Sequence, residues 1–271
     1  MGKLLKNGLL QAWSQPFAVC LLFIYNLLWG VLLYALIRSI VVPLLHRYPS
    51  PELPREAVHL FWLEGQFQLM KTDLMYPYLW WGLALLLVRL LFTPLLSAGL
   101  YYSLEHLELN AGYRFMQGIR KLALPFILLY AIQIVLVIVP FYLLGPKLME
   151  AYSTQHSLAA ITWYMAPWIL GYLAYLFLLN TVFMYMQFGL AGGKSPTWSL
   201  GLLIRNLAPV MLLALITLVV TVTITALVMA SAMVWAGFAA LLVVQAYRLV
   251  QVFGKIWMIT SQHTLWNAKN E

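Results

Sequence analysis

The chain has 271 residues, 63% of them hydrophobic and only 9% charged, with a formal net charge of +8. Ordinary soluble domains carry roughly a quarter charged residues, and without them a fold of this size has no surface to keep it dispersed. A water-soluble globular protein is therefore excluded. The sixteen Lys and Arg sit mostly at the edges of apolar runs rather than in a polar stripe with interleaved aromatics, which argues against nucleic acid as a partner.

A helix that crosses a bilayer needs about 20 apolar residues. The runs that meet this are approximately 17–45, 76–100, 122–144, 163–187, 207–230 and 232–257. The first, interrupted only by Asn26 and Arg38, is too long for a signal-peptide core and lacks a small-x-small cleavage site, so it is expected to stay as an anchor. An external loop at 46–75 follows, in which Pro54 to Asp73 reads as an amphipathic helix with Phe61, Trp62 and Phe67. The second run opens on an interfacial cluster of Tyr76, Tyr78, Trp80 and Trp81 and carries Arg89 near its centre. From Leu207 to Tyr247 forty-one residues pass without a charge, too many for one span and right for two, with a tight turn expected near Ala230 to Trp235. The expected fold is all-α: a single polytopic transmembrane domain over 1–271, with about six spans paired as three helical hairpins. Its one cysteine, Cys20, rules out an intrachain disulfide and a Cys-based metal site.

Basic residues set the orientation. With the N-terminus inside, Lys3, Lys6, Arg114, Arg120, Lys121, Lys194, Arg205 and Lys269 are cytoplasmic, with Arg248 and Lys255 near that face. The other side then receives Glu52, Glu56, Glu64, Asp73 and Glu150, together with Arg38, Arg47, Arg55, Lys71 and Lys147. Both termini are expected in the cytoplasm of a cell whose plasma membrane, bacterial in this reading, holds the chain.

A repeat marks the cytoplasmic starts. Gly8 to Pro16, Gly118 to Pro125 and Gly201 to Pro209 each run from a glycine through a short amphipathic stretch to a proline, and then into a pair of spans. Each is expected to be an interfacial helix in the headgroup plane that bends into the membrane at its proline. The stretch Ser195-Pro-Thr-Trp-Ser-Leu-Gly-Leu-Leu-Ile-Arg205-Asn206, with Pro209 and the apolar hairpin after it, resembles an element of the membrane regions attached to some bacterial glycerophosphodiester phosphodiesterases and of their stand-alone relatives. The acidic residue expected before that element is absent, and so is any phosphodiesterase domain, so the resemblance implies a membrane module without catalysis.

No Asp, Glu or His falls inside the six runs, which leaves no dyad for intramembrane proteolysis and no carboxylate relay for proton-coupled transport. Gly189-Leu-Ala-Gly-Gly-Lys194-Ser195 misses the phosphate-loop spacing, because Phe188 stands where its first glycine belongs; a flexible turn is expected there. Glu56-Ala-Val-His59 has the spacing of two metal ligands on one helix face but no second copy, so neither metal nor cofactor is expected.

Arg89 is the sharpest functional candidate. A charge at mid-membrane costs upward of about 3 kcal/mol and needs a partner; carbonyls, the amide oxygens of Asn26, Gln133 or Asn180, or an outside anion such as a lipid phosphate are the available ones. Arg248 and Lys255 belong with Gln245 and Gln251 to a polar stripe on one helix face that suits an anionic lipid or a partner subunit. Asn26, Gln133, Asn180 and Gln187 are candidate interhelical hydrogen-bonding residues, and Ala226, Ala230, Ala232, Ala236 and Ala240 favour close approach of the last two spans. The function expected is a non-enzymatic module that binds anionic lipid or a partner protein. The alternative is a permease subunit for a hydrophobic or anionic solute, its segment Tyr101 to Lys121 docking a separate ATPase.

Overall fold

The computed structural model describes residues 1–47, 63, 65, 76–155, 157–234 and 238–270, with side chains at all of these except 44, 45, 47, 158 and 232–246. The helices in chain order are α1 (Gly2–Trp13), α2 (Pro16–Arg47), α3 (Tyr76–Glu105), α4 (Ala111–Ile138), α5 (Phe141–Thr154), α6 (Leu158–Ala191), α7 (Pro196–Arg205), α8 (Leu207–Val234) and α9 (Phe238–Asn270). Among the described residues there is no strand. Among the described residues, five segments are long and apolar enough to cross a membrane: Pro16–Pro43, Tyr76–Glu105, Ala111–Thr154, Ala159–Ala191 and Leu207–Ser231, with mean hydropathy between 1.7 and 2.8. The protein is an all-α polytopic membrane protein. The sixth predicted run is helical backbone from Phe238, but side chains 232–246, including Gln245 and the alanine pattern from Ala232 to Ala240, lie outside the described residues. So does almost all of the predicted external loop, with its amphipathic segment and Glu56–His59.

Contacts divide the chain into two compact units. The second, Leu21–Thr93, contains an antiparallel pairing of α2 and α3. The Tyr25 hydroxyl lies 3.4 Å from the Thr93 hydroxyl, and a Cβ placed on Gly82 would meet Leu36 at 3.9 Å.

The first unit, Met1–Cys20 and Pro94–Glu271, holds the other two hairpins. In α4 and α6, Gln133 bonds Asn180 at 2.7 Å, while the hydroxyls of Tyr175 and Tyr172 donate to the carbonyls of Leu136 and Val137. Leu129, Leu179 and Phe183 are buried between these two helices. In α8 and α9, Thr225 bonds Tyr247 and Gln262 reaches the Val210 carbonyl at 3.0 Å. The three predicted hairpins are all present, each antiparallel.

Several local expectations need correction. α1 does end before Pro16, whose ring nitrogen has no hydrogen to continue the ladder, and α7 ends at Asn206 shortly before Pro209. Pro125, however, lies inside α4 without breaking it. The break in that copy comes at residues 106–110, so two of the three copies, not all three, have a separate short helix before the span. Helix α4 stops at Ile138, where Val139 and Pro140 separate it from α5, although the apolar segment runs on to Thr154. α8 remains helical through Val234, past most of the predicted turn, and residues 235–237 lie outside the described set. The last helix continues to Asn270, past residue 257 where the membrane span is expected to end.

The phosphate-loop look-alike is a helix end. The amides of Gly192 and Lys194 donate to the carbonyls of Phe188 and Gly189 at 2.9 and 2.7 Å, and Gly193 takes φ +71°, which an L side chain rarely adopts. Ser195 then caps α7 by accepting from the Trp198 amide, with Pro196 in its first turn.

Small residues let these helices touch, as packing in lipid requires. A Cβ on Gly8 would sit 2.5 Å from the Ser261 Cα, and one on Gly118 would sit 2.9 Å from the Ala98 carbonyl oxygen, whereas the third repeat glycine, Gly201, faces open space. The two ends of the repeat therefore respond oppositely to one methyl group. Gly8→Ala should destabilise by about 1–3 kcal/mol through overpacking, and Gly201→Ala should stabilise by up to about 1 kcal/mol through helix propensity. Thermal unfolding of the purified protein in detergent measures both; equal shifts would refute the assigned packing.

Candidate functional site

The polar side chains of the first unit gather where α1 lies against the C-terminal half of α9. The Trp257 indole donates to the Leu5 carbonyl at 3.1 Å, and the Thr260 hydroxyl lies 2.7 Å from the Gly8 carbonyl. One turn further on, Gln11 meets His263. The Gln11 amide nitrogen lies 3.1 Å from Nδ1 of the ring, whose Nε2 lies 2.9 Å from Glu105 Oε1. Each ring nitrogen thus has a side-chain neighbour within hydrogen-bond distance. His263 is 1% exposed, so both its nitrogens are committed within the protein.

A second group continues from the α1–α2 elbow. Gln15 donates to the Ser103 carbonyl at 3.1 Å and accepts from the Ser103 hydroxyl at 3.0 Å. Its carbonyl oxygen also accepts from Arg114 at 2.9 Å, and Arg114 reaches the Ser14 carbonyl at 3.1 Å. Arg114 is thus a buried cation held by neutral oxygens, an arrangement that replaces hydration with fixed dipoles. In the 106–110 turn, the exposed Glu108 carboxyl is held below its ordinary range by its own backbone amide and then by the His106 ring. Gln262, between Tyr185 and Val210, ties α6 and α8 to the same region of α9. Aromatic rings close this layer: Tyr185, Phe188, Trp266 and Trp198 pack with centroids 5.5 to 6.1 Å apart.

Four buried polar side-chain atoms of the first unit have no hydrogen-bond partner among the described residues: Gln11 Oε1, Arg114 Nε, Gln117 Oε1 and Ser261 Oγ. Also among the described residues, no three His, Cys, Asp or Glu side chains gather in a metal-binding group.

The sequence candidates are distributed differently. Gln133 and Asn180 are joined as an interhelical pair. Gln187 is half-buried on α6, while Arg248 and Lys255 are exposed on α9. In the second unit Asn26 is exposed, and the Arg89 guanidinium carbon lies 5.5 Å from the centroid of the buried Trp29 ring. An aromatic face, rather than an amide, is the partner the structure gives Arg89. Sequence spacing holds no signal for it, because the two residues belong to different helices. The His263–Glu105 pair was also missed, although both residues lie only a few positions beyond predicted span ends.

Comparison of the chain with protein-family models, with curated proteins and with solved structures gives no match.

Two outcomes test these geometries. His263→Phe keeps the ring volume but leaves Glu105 and Gln11 without the imidazole, and should cost about 1–3 kcal/mol of stability; an unchanged denaturation midpoint would mean that the pair does not hold the layer. A double-mutant cycle of Arg89→Gln and Trp29→Leu should show a coupling of about 0.5–2 kcal/mol. Strict additivity would dismiss the cation–aromatic contact.

Proposed function

We propose that this chain is a non-enzymatic, multi-pass membrane module that binds anionic lipid at the end of the first unit where its termini meet. One observation carries the reading. α1 and α7 each bury one face and present bulky apolar side chains beside cations on the other. Leu10 and Trp13 are exposed on the helix that bears Lys3 and Lys6, and Ile204 is 70% exposed next to Arg205. That is the pattern of helices at headgroup depth, where apolar groups enter the acyl boundary and cations meet phosphates.

The chemistry of the buried layer supports the same view. Catalysis by His263 would need a free ring nitrogen facing a nucleophile or substrate, and both nitrogens are occupied by Glu105 and Gln11. The segment 101–121, which a permease would offer to a motor, has Tyr101 to Leu104, Arg114, Phe115 and Gly118 buried, so much of it is consumed by internal packing. On this reading the protein lies in the bacterial plasma membrane with both termini cytoplasmic, because Lys3, Lys6, Arg120, Lys121, Arg205 and Lys269 share that end. The resemblance of residues 195–209 to phosphodiesterase-linked membrane regions belongs to the same proposal.

Native mass spectrometry of the detergent-extracted protein, re-supplied with equal phosphatidylglycerol and phosphatidylcholine, should show at least about tenfold preferential retention of the anionic lipid, which corresponds to about 1.4 kcal/mol. Equal retention would sink the lipid assignment. Cysteine placed at Lys3 or Lys269 in a Cys20→Ser background should resist an impermeant maleimide in intact cells, and cysteine at Tyr152 should react; the reverse pattern would refute the orientation.

A further inference from the structure

A cavity of about 550 Å³ lies in the first unit beside the end of α7, lined by Trp198, Gly201, Leu202, Arg205, Asn206 and Lys269. Two of its six lining residues are cations, and among the described residues neither has an acidic partner. The end of a helix normally presents bare carbonyls, which repel an anion. Here Asn206 covers two of them: its backbone amide donates to the carbonyls of Leu202 and Leu203, and its side-chain amide donates again to Leu202 at 3.0 Å.

The opposite wall is fixed in place. Lys194 lies 4.0 Å above the Trp198 ring centroid and bonds Asn270, next to Lys269, while Trp198 packs edge-on against the buried Trp266. The exposed Ile204 and Leu207 flank the lining residues in sequence, so apolar surface adjoins the charged pocket. From this combination we infer that the cavity is a phosphate-binding site, with Arg205 and Lys269 as the ligands of the anion. Arg205 supplies a planar fork for two phosphate oxygens and Lys269 a mobile point charge. The inference rests on the lipid-binding reading and assigns that reading a location; a phosphodiester headgroup or free phosphate would supply the same chemistry.

The test uses the full-length protein, its Arg205→Gln/Lys269→Gln variant and the charge-preserving Arg205→Lys/Lys269→Arg variant. Both substituted positions are exposed, and matching melting temperatures confirm that the variants fold. Phosphatidylglycerol retention against phosphatidylcholine should fall at least about tenfold in the Gln variant and recover in the charge-preserving one. Inorganic phosphate distinguishes the sources. Millimolar phosphate that raises the parent's melting temperature, but not the Gln variant's, assigns the site to the free anion; lipid discrimination without that shift assigns it to the headgroup. If the Gln variant keeps the parent's lipid preference and phosphate response, the cavity is not the site, although the module still binds anionic lipid. A parent with no preference and no phosphate response overturns both proposals together.

Discussion

The close seat of α1 on α9 is the contact on which the first unit depends. It exists because Gly8 has no side chain: the Ser261 backbone occupies the space where a Cβ would stand. Once the two helices approach that closely, Leu5 and Gly8 present carbonyls to Trp257 and Thr260, and Gln11 is carried to His263. Lipid supplies no hydrophobic drive for helices to associate, so contact of this kind must come from close packing and satisfied hydrogen bonds. The N-terminal helix is therefore an integral part of the unit, held by partners 252 residues away in sequence.

The polar layer built on that seat has the character of a structural joint. Its residues are distributed over α1, α3, α4, α6, α8 and α9, and most bonds run between helices rather than within one. Gln15 is used three times, exchanging two bonds with Ser103 while accepting from Arg114. A buried guanidinium without such acceptors would be costly, and a carboxamide can donate and accept at once. Commitment of these groups to each other leaves the exposed cations of α1, α7 and α9 to meet whatever lies outside. That division, polar groups inward and cations outward, is why the proposed function rests on the surface of this layer.

Much of the architecture was legible because hydrocarbon imposes a simple rule: long uncharged runs must be helices whose backbone bonds close internally. Run lengths and the forty-one uncharged residues after Leu207 sufficed to identify three hairpins. The Gln133–Asn180 bond was also within reach, since amides inside apolar helices have few other partners. Proline was a poorer guide. Its missing N–H breaks a ladder only when the preceding turn also favours an exit; Pro16 follows such a turn, whereas Pro125 stands well inside α4, where the helix continues through it.

The sequence alone thus determined the solvent of this protein, its helical class and the pairing of its spans, because those follow from composition and length. Tertiary structure decided which glycines are contacts, which cations are buried and which ring stands beside Arg89. It also brought His263 to Glu105 across 158 positions. These are meetings between distant segments, fixed by where side chains fit, and a one-dimensional pattern contains no distance between helices.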